Sequence, residues 1–300
     1  MAVFQSAVAI LKAAAEPTRL RLLALLAHGE LTVGEICTIV DQSQPRISRH
    51  LKLLSDAGLL DRFREQSWVY YRTPPTGAGR DTVGQLLALV DASDAVLQRD
   101  RQRLQAVVAE RGRRAAEAAP PAVLPAEVDR ILVEELADQP IGALLDVGTG
   151  SGHLLSLLGA KASRAVGIDI SSEALRLART RVHGAGLSHC ELQRGDMYNL
   201  PFAAGFFDTA VADRVLAAAD RPVAALTEVA RTLHPGARLI VVEDFERLAS
   251  PGLRSNPIAT LRAWFMQAGF ACDRIHPVDT DSGLLIVAAA RRLSSINVAA

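Results

Sequence analysis

Cysteine is scarce. Cys37, Cys190 and Cys272 are the 3 in a chain of 300 residues, and they lie far apart. They form no CxxC pair and no disulfide framework, which fits a reducing cytoplasm. Long apolar runs are missing too: no uninterrupted stretch reaches about 18 residues, so no membrane span is expected. The opening residues, "MAVFQSAVAILKAAAEP", lack a basic segment ahead of their apolar stretch and read as a helix rather than a signal peptide. An excess of one charge is also missing, since 33 basic residues balance 33 acidic ones. That balance neither points to nucleic acid nor excludes it, because local distribution decides. Internal repeats are not seen. What is present is apolar material, 49% of the chain, in a length that suits about two domains. The basic residues are nearly all arginine, the better side chain for phosphate forks and guanine edges.

The punctuation of the first 75 residues is dense. Pro17 suits a first helical turn, and "TRLRLLALLA" follows with helical spacing up to Gly29. Thr32 and Glu35 have the spacing of a capping box and predict a third helix. "DQSQPRISRHLKLLSDAGLL" predicts a fourth, with Pro45 in its first turn and Gly58 closing it. Two strand-like runs come next, "LLDRF" and "WVYYR", joined by "REQS". Residues 80–114 read as one long helix, interrupted in propensity only by Gly84. An alanine- and proline-rich stretch, 115–125, reads as a linker. Beyond it, "ALLDVG", "AVGIDI", "DTAVAD", "RLIVVED" and "LLIVAAA" alternate with helices, as in an α/β domain with a mostly parallel sheet. The expected division is a mostly α N-terminal domain over 1–114, the linker, and an α/β domain over 126–292.

Helix, turn, helix and a two-stranded wing is the plan of a winged helix-turn-helix. Its second helix should bury Ile47, Leu51 and Leu54. It should expose Gln42, Ser43, Gln44, Arg46, Ser48, Arg49, His50 and Lys52. A helix of this size fits the major groove of double-stranded DNA, where Arg reads guanine and Gln reads adenine. Arg62 and Arg64 in the wing are placed for phosphates or the adjacent minor groove. A solvated polar face would look the same on the helix alone; the wing is what favours DNA.

"LKAAAEPTRLRLLALLAHGELTVGEI", "SQPRISRHLKLLSDAGLL" and "WVYYR" closely resemble ArsR/SmtB-type repressors over about residues 8–75. The resemblance implies a homodimer paired through the first helix and the helix after Arg80, and an operator released on binding an effector, often a metal. Metal-sensing members carry cysteines in the segment matching "ELTVGEI", where this chain has Thr32 and Gly34. Cys37 stands alone and no His pair at ligand spacing follows Arg80, whereas thiophilic metals need several convergent thiolates or imidazoles. No metal is therefore expected, and the second domain is the candidate source of the signal.

"LLDVGTGSGHLL" is a strand, a tight turn and a helix start. Gly148, Gly150 and Gly152 let the backbone approach a ligand closely. GxGxG alone is weak, but its context sharpens it. Asp146 precedes the glycines, and Asp169 ends the next strand 21 residues after Gly148, where a carboxylate accepts ribose hydroxyls. Asp196 and Met197 follow in "RGDMYNLPF", and Asp213 ends "DTAVAD". The ordered set resembles class I S-adenosylmethionine-dependent methyltransferases, with a Rossmann-like fold, over about Leu144 to Glu243. The resemblance implies that Asp146 and the glycine loop face the methionine end of S-adenosylmethionine or S-adenosylhomocysteine. It gives Asp169 the ribose, lays Ile170 on the adenine, sets Asp196 and Met197 at the adenine edge, and puts Asp213 beside the sulfur.

Methyl transfer needs orientation and water exclusion more than a catalytic residue, so the absence of a base decides nothing. Many relatives read "VLHH" or "VLHY" where this chain reads "VLAAADRP", with Ala217 and Ala218. No catalytic residue is assigned. Two readings lead, ahead of a weaker third in which the cofactor site is vestigial and only scaffolds the dimer. One is a cytoplasmic repressor that senses the adenosyl ligand, tied by resemblance to methionine and S-adenosylmethionine metabolism. The other is an active methyltransferase of a small molecule carrying a DNA-binding module.

Overall fold

The computed structural model describes residues 2–65, 68–74, 77–118, 124–248 and 256–294. Contacts divide the chain into two compact units, Met1–Pro120 with Arg179–His189, and Pro121–Ala178 with Cys190–Ala300.

The first unit is helical with a small sheet. It contains α1 (Ala2–Ala14), α2 (Pro17–Leu26), β1 (Leu31–Thr32), α3 (Val33–Val40), α4 (Gln44–Asp56), β2 (Asp61–Glu65), β3 (Trp68–Arg72), α5 (Ala78–Ala88) and α6 (Ala95–Ala118). The expected capping box is formed: Thr32 Oγ1 accepts from Glu35 N at 3.3 Å, and Glu35 accepts from Thr32 N at 2.8 Å. Arg111 of α6 closes on the same Glu35 carboxylate, tying α3 to α6. A second tie is the fork from Arg21 to the buried Asp100, both bonds at 2.7 Å. Around these lies an apolar core that includes Leu22, Leu26, Ile36, Ile39, Ile47, Leu51 and Leu54. The three-stranded antiparallel sheet has the order β1-β3-β2, so β2 and β3 form the wing. The "REQS" turn falls partly on residues 66–67, outside the described residues.

The single helix expected over 80–114 is two. α5 stops at Ala88 and α6 starts at Ala95. Asp91 takes Ser93 N at 2.8 Å and Ser93 Oγ at 2.7 Å, while Asp94 accepts from Val96 N at 2.8 Å. Short polar side chains bonding nearby backbone compete with helix here, and Asp94 then caps the new one. The expected linker begins inside α6, and residues 119–123 lie outside the described residues.

The second unit carries α7 (Ala126–Glu135), β4 (Ala143–Val147), α8 (His153–Leu158), β5 (Arg164–Asp169), α9 (Ser172–Gly184) up to Ala178, β6 (Cys190–Arg194) and β7 (Phe207–Asp213). It continues with α10 (Pro222–Thr232), β8 (Leu233–Asp244), α11 (Phe245–Leu248), α12 (Pro257–Gln267), β9 (Phe270–Thr280) and β10 (Gly283–Arg292). Seven strands form one mixed sheet in the order β6-β5-β4-β7-β8-β10-β9. The first five pair in parallel, and β10 runs antiparallel to both β8 and β9. Two strands were not expected, β6 and β9. Both are sheet edges, and β9 carries exposed polar residues and Pro277, as edges tolerate. The central strands are mostly apolar because both faces are covered, one by a cluster that includes Leu145, Phe207, Leu226, Val241, Phe265 and Phe270; Asp146, Thr209, Arg238 and Glu243 are buried polar exceptions.

Candidate functional site

In the first unit, α4 turns Ile47, Leu51 and Leu54 fully inward. Ser43 is its N-cap, and Ser43, Gln44, Arg46, Arg49 and Lys52 are exposed. Lys52 pairs with Asp56 at 2.6 Å along the helix surface. Ser48 is half-buried. Two of the expected DNA-facing side chains turn back toward α2. Gln42 Nε2 donates to Thr18 Oγ1 at 3.4 Å, and His50 Nδ1 lies 3.7 Å from Glu16. Burial lowers the His50 pKa, Glu16 opposes that, and Arg19, Arg46 and Arg49 add to the lowering. Arg62 and Arg64 are exposed two residues apart on β2, hence on one face of the wing. Trp68, which the sequence reading passed over, stands 56% exposed where β3 begins.

The second unit builds its site at the carboxyl ends of the parallel strands. The chain runs from β4 outward through β5 and β6, then crosses back to β7 on the other side of β4. That reversal opens a crevice at the end of β4, the usual ligand position in such sheets. The loop leaving β4 has Gly148, Gly150 and Gly152 at φ 66, 53 and 78°, a left-handed run that only glycine adopts freely. Gly150 N donates to Asp169 Oδ2 at 2.9 Å, and Ser171 N to Asp169 Oδ1 at 2.8 Å. The carboxylate is thus fixed by backbone donors while remaining half-exposed. Ile170 beside it is 67% exposed, an apolar surface with no core to fill. Asp196 is exposed and accepts Tyr198 N at 2.9 Å, while Met197 is half-buried against the core.

Asp146 is buried and accepts Thr149 Oγ1 at 2.6 Å. Burial, with Asp213 and Asp169 nearby, pushes its pKa up to about 7 against the pull of Thr149. Asp213 is held by a fork from Arg214, Nε and Nη2 each at 2.9 Å. Arg214 has φ 54°, a conformation that costs a non-glycine residue about 1–3 kcal/mol. The turn that follows lays Val215 against the glycine loop, and Leu216 N donates to Glu243 Oε1 at 2.6 Å. Glu243, at the end of β8, has no exposed surface, and burial pushes its pKa up to about 7. Thr149, Arg214 and Glu243 were missed as site residues. Thr149 was inside the quoted glycine loop, but nothing local marks the other two.

Gly148→Ala tests the loop. The added Cβ would lie 2.5 Å from Val215 Cγ2, on a backbone at φ 66°. A stability loss of about 2 kcal/mol or more in urea melts is expected, with ligand binding lost alongside. An unchanged midpoint would show that the loop adopts another conformation.

Among the described residues no group of three or more His, Cys, Asp or Glu side chains is set to hold a metal, and no helix is long and apolar enough to cross a membrane.

The chain thus joins a winged helix-turn-helix to a Rossmann-like methyltransferase fold. Residues 16–62 match the model of the bacterial regulatory proteins of the arsR family, and residues 145–241 that of a methyltransferase domain. The chain is 41% identical over 96 residues to an arsenic resistance transcriptional regulator of Pseudomonas putida, covering 32% of this chain and 74% of that protein. It is 49% identical over 67 residues to the arsenical resistance operon repressor of Escherichia coli, covering 22% of this chain and 57% of that one. A phosphatidylethanolamine N-methyltransferase of Cereibacter sphaeroides is 34% identical over 111 residues, 37% of this chain and 54% of that enzyme. The chain therefore spans little more than half of the last two relatives. It belongs to the ArsR family, with a methyltransferase domain in the same chain.

Proposed function

We propose that this chain is a DNA-binding transcriptional repressor whose methyltransferase-like domain takes S-adenosylmethionine or S-adenosylhomocysteine as its effector, in the service of methionine and S-adenosylmethionine metabolism. The domains are 1–114 for DNA and dimerisation, a linker over 115–125, and 126–292 for the ligand. Arg46 and Arg49 read bases from the exposed face of α4, and Ser43, Gln44, Ser48 and Lys52 border them. Arg62 and Arg64 hold the backbone from the wing. Gln42 and His50 set the helix against α2. The working form is a cytoplasmic homodimer. Exposed Leu11 on α1, Leu89 at the start of the 89–94 break and Val96 on α6 are the apolar surface that a second copy would cover.

The observation that carries the ligand reading is the Gly150 N to Asp169 bond, which ties a left-handed glycine loop to a half-exposed carboxylate beside the bare Ile170. These groups fit an adenosine: Asp169 for the ribose hydroxyls, Ile170 under the adenine, Asp196 and Met197 at its edge. Asp146 and the loop would face the amino-acid end, and Asp213 the sulfur. Bound there, S-adenosylmethionine would supply a methyl group on a sulfonium. The protein's own groups bind, orient and exclude water.

Asp169→Ala is expected to weaken adenosyl-ligand binding about tenfold or more by calorimetry, the loss of a charge-assisted hydrogen-bond acceptor. It should also blunt any ligand response of the DNA complex. A full response in this variant would place the effector elsewhere. The second reading, an active methyltransferase of a small molecule, draws support from the likeness to the phosphatidylethanolamine enzyme. It requires conversion of S-adenosylmethionine to S-adenosylhomocysteine once an acceptor is supplied.

A further inference from the structure

One helix of the chain serves both units. α9 starts at Ser172, and its residues up to Ala178 belong to the second unit, while Arg179–His189 pack within the first. Arg179 is 2% exposed although it carries a guanidinium. Its Nε donates to Glu30 Oε2 at 2.6 Å, and Arg72 Nη1 of β3 donates to Glu30 Oε1 at 2.9 Å. The Arg179 guanidinium also lies 4.2 Å from the centroid of the Tyr70 ring. Tyr70 pairs with Phe63 across the wing, and their rings stack at 5.6 Å. Val69 and Tyr71 turn to the core, so strand alternation puts Phe63 and Tyr70 on the opposite face of the wing. One turn further along α9, His183 presses on Gly29: a Cβ there would fall 1.8 Å from His183 Nε2. Residues four apart share a helix face. The first unit thus holds that face of α9 at two places, a buried charge pair and a backbone approach with no room for a side chain.

The start of α9 and its middle lie at the proposed adenosyl pocket. Ser171 Oγ accepts from Ala174 N at 3.2 Å, capping the helix, while Ser171 N donates to Asp169 Oδ1. Ala178 lies against the glycine loop, where a Cβ on Gly152 would come 3.0 Å from the Ala178 Cα and Cβ. The next residue is Arg179. Neighbouring residues of one helix therefore touch the loop of the second unit and the support of the wing in the first.

We propose that α9 is the element through which a ligand in the adenosyl pocket changes DNA binding, with the Arg179–Glu30 pair as its grip on the wing. The inference rests on the adenosyl-ligand reading above. Ribose hydroxyls reaching Asp169 share its oxygens with Gly150 N and Ser171 N, so occupancy acts on the loop and on the first turn of α9 together. Arg179 is about 10 Å along the helix from Ser172, close enough for a rigid element to carry a small displacement. Its far end has little slack. Parting Arg179 from Glu30 would leave a buried guanidinium without its carboxylate, which is costly. The wing therefore follows α9. Arg62 and Arg64 flank Phe63 on β2, so motion of the Phe63–Tyr70 pair moves the side chains assigned to the DNA backbone.

The test compares the full native chain with Arg179→Met, Arg179→Lys and His183→Ala. Met fills the place against Tyr70 without charge, and Glu30 keeps Arg72. Anisotropy of a labelled duplex, selected by the protein from a random pool, gives the DNA Kd with and without saturating S-adenosylmethionine or S-adenosylhomocysteine. Calorimetry gives the ligand Kd without DNA. In the native chain at least one ligand should change the DNA Kd by about 5- to 150-fold. In Arg179→Met that ratio should fall to within about twofold of unity, while the ligand Kd stays within about threefold of native. Arg179→Lys, which keeps a cation for Glu30, should give a ratio between these. Hydrogen exchange without DNA adds a readout that plain destabilisation would not move. Ligand should change the exchange of wing amides 61–65 and 68–72 in the native chain and leave them unchanged in Arg179→Met, with loop 148–152 protected in both. An Arg179→Met chain that keeps the native ratio overturns the proposal and leaves the adenosyl reading standing. If that variant does not fold, His183→Ala decides: a ratio reduced about threefold or more supports the proposal, and the native ratio overturns it. If the ligands bind the native chain without altering its DNA Kd, the effector reading fails and this inference with it. If neither ligand binds, the adenosyl reading itself fails.

Discussion

Replacing Arg46 and Arg49 together with alanine is expected to weaken binding to a specific DNA duplex about 100-fold or more. A bidentate guanidinium contact to a base contributes about 1–3 kcal/mol of discrimination, and two are removed. Both side chains stand exposed on α4, one turn apart, while Ile47 and Leu51 beneath them stay buried. Stability should therefore change little. The measurement is fluorescence anisotropy of a labelled duplex selected by the protein itself from a random pool. Adenosyl-ligand affinity, measured by calorimetry on the same preparation, should be unaltered. Equal loss of both affinities would contradict the assignment of the two activities to separate surfaces.

The second large effect is on stability and its dependence on pH. Burial pushes the folded-state pKa values of Asp146 and Glu243 up to about 7, well above the usual carboxyl range. The native state thus binds more protons than the unfolded chain between about pH 4 and pH 7, so these groups lower stability as pH rises through that window and cost a constant amount above it. The loss at pH 8 is about 4 kcal/mol for Asp146 and about 3 kcal/mol for Glu243. Asp146→Asn and Glu243→Gln should each raise the urea midpoint at pH 8 and leave it nearly unchanged at pH 4. Asn and Gln still accept the bonds from Thr149 and Leu216, so the gain comes from removing a buried charge. A variant less stable than the native chain at pH 8 would mean that the carboxyl is ionised and well paired there. Sites that carry such a cost are common where function needs it, and a bound cation would offset it.

Much of the fold was legible because its signals are local. The Pro17 helix start, the Thr32 and Glu35 box and the inward Ile47, Leu51 and Leu54 each depend on residues within one or two turns. The glycine loop and Asp169 were readable for the same reason, as strand-end residues at characteristic spacing. The break at 89–94 was legible in principle, since Asp91, Ser93 and Asp94 are cap and turn formers, but apolar periodicity on either side hid it. Edge strands β6 and β9 escaped because each mixes apolar with charged residues, Glu191 and Arg194 in β6 and Asp273 and Arg274 in β9, so neither shows an apolar run. Glu243 could not be read at all. Its hydrogen-bond donor, Leu216, lies 27 residues away, and its burial depends on the β7, β8 and β10 neighbours that only the folded sheet supplies. The left-handed backbone of Arg214 was equally hidden, because arginine carries no preference for it.

The central claim is that an adenosyl ligand in the second unit alters DNA binding by the first. The direct measurement titrates S-adenosylmethionine and, separately, S-adenosylhomocysteine into the complex of the full chain with its selected duplex, following anisotropy at fixed salt. A sensor of this kind should show the DNA Kd change by about 5- to 150-fold with at least one ligand, and the ligand Kd change by the same factor when DNA is present. A DNA Kd that is the same with and without both ligands, at concentrations where calorimetry shows the pocket saturated, would contradict the account.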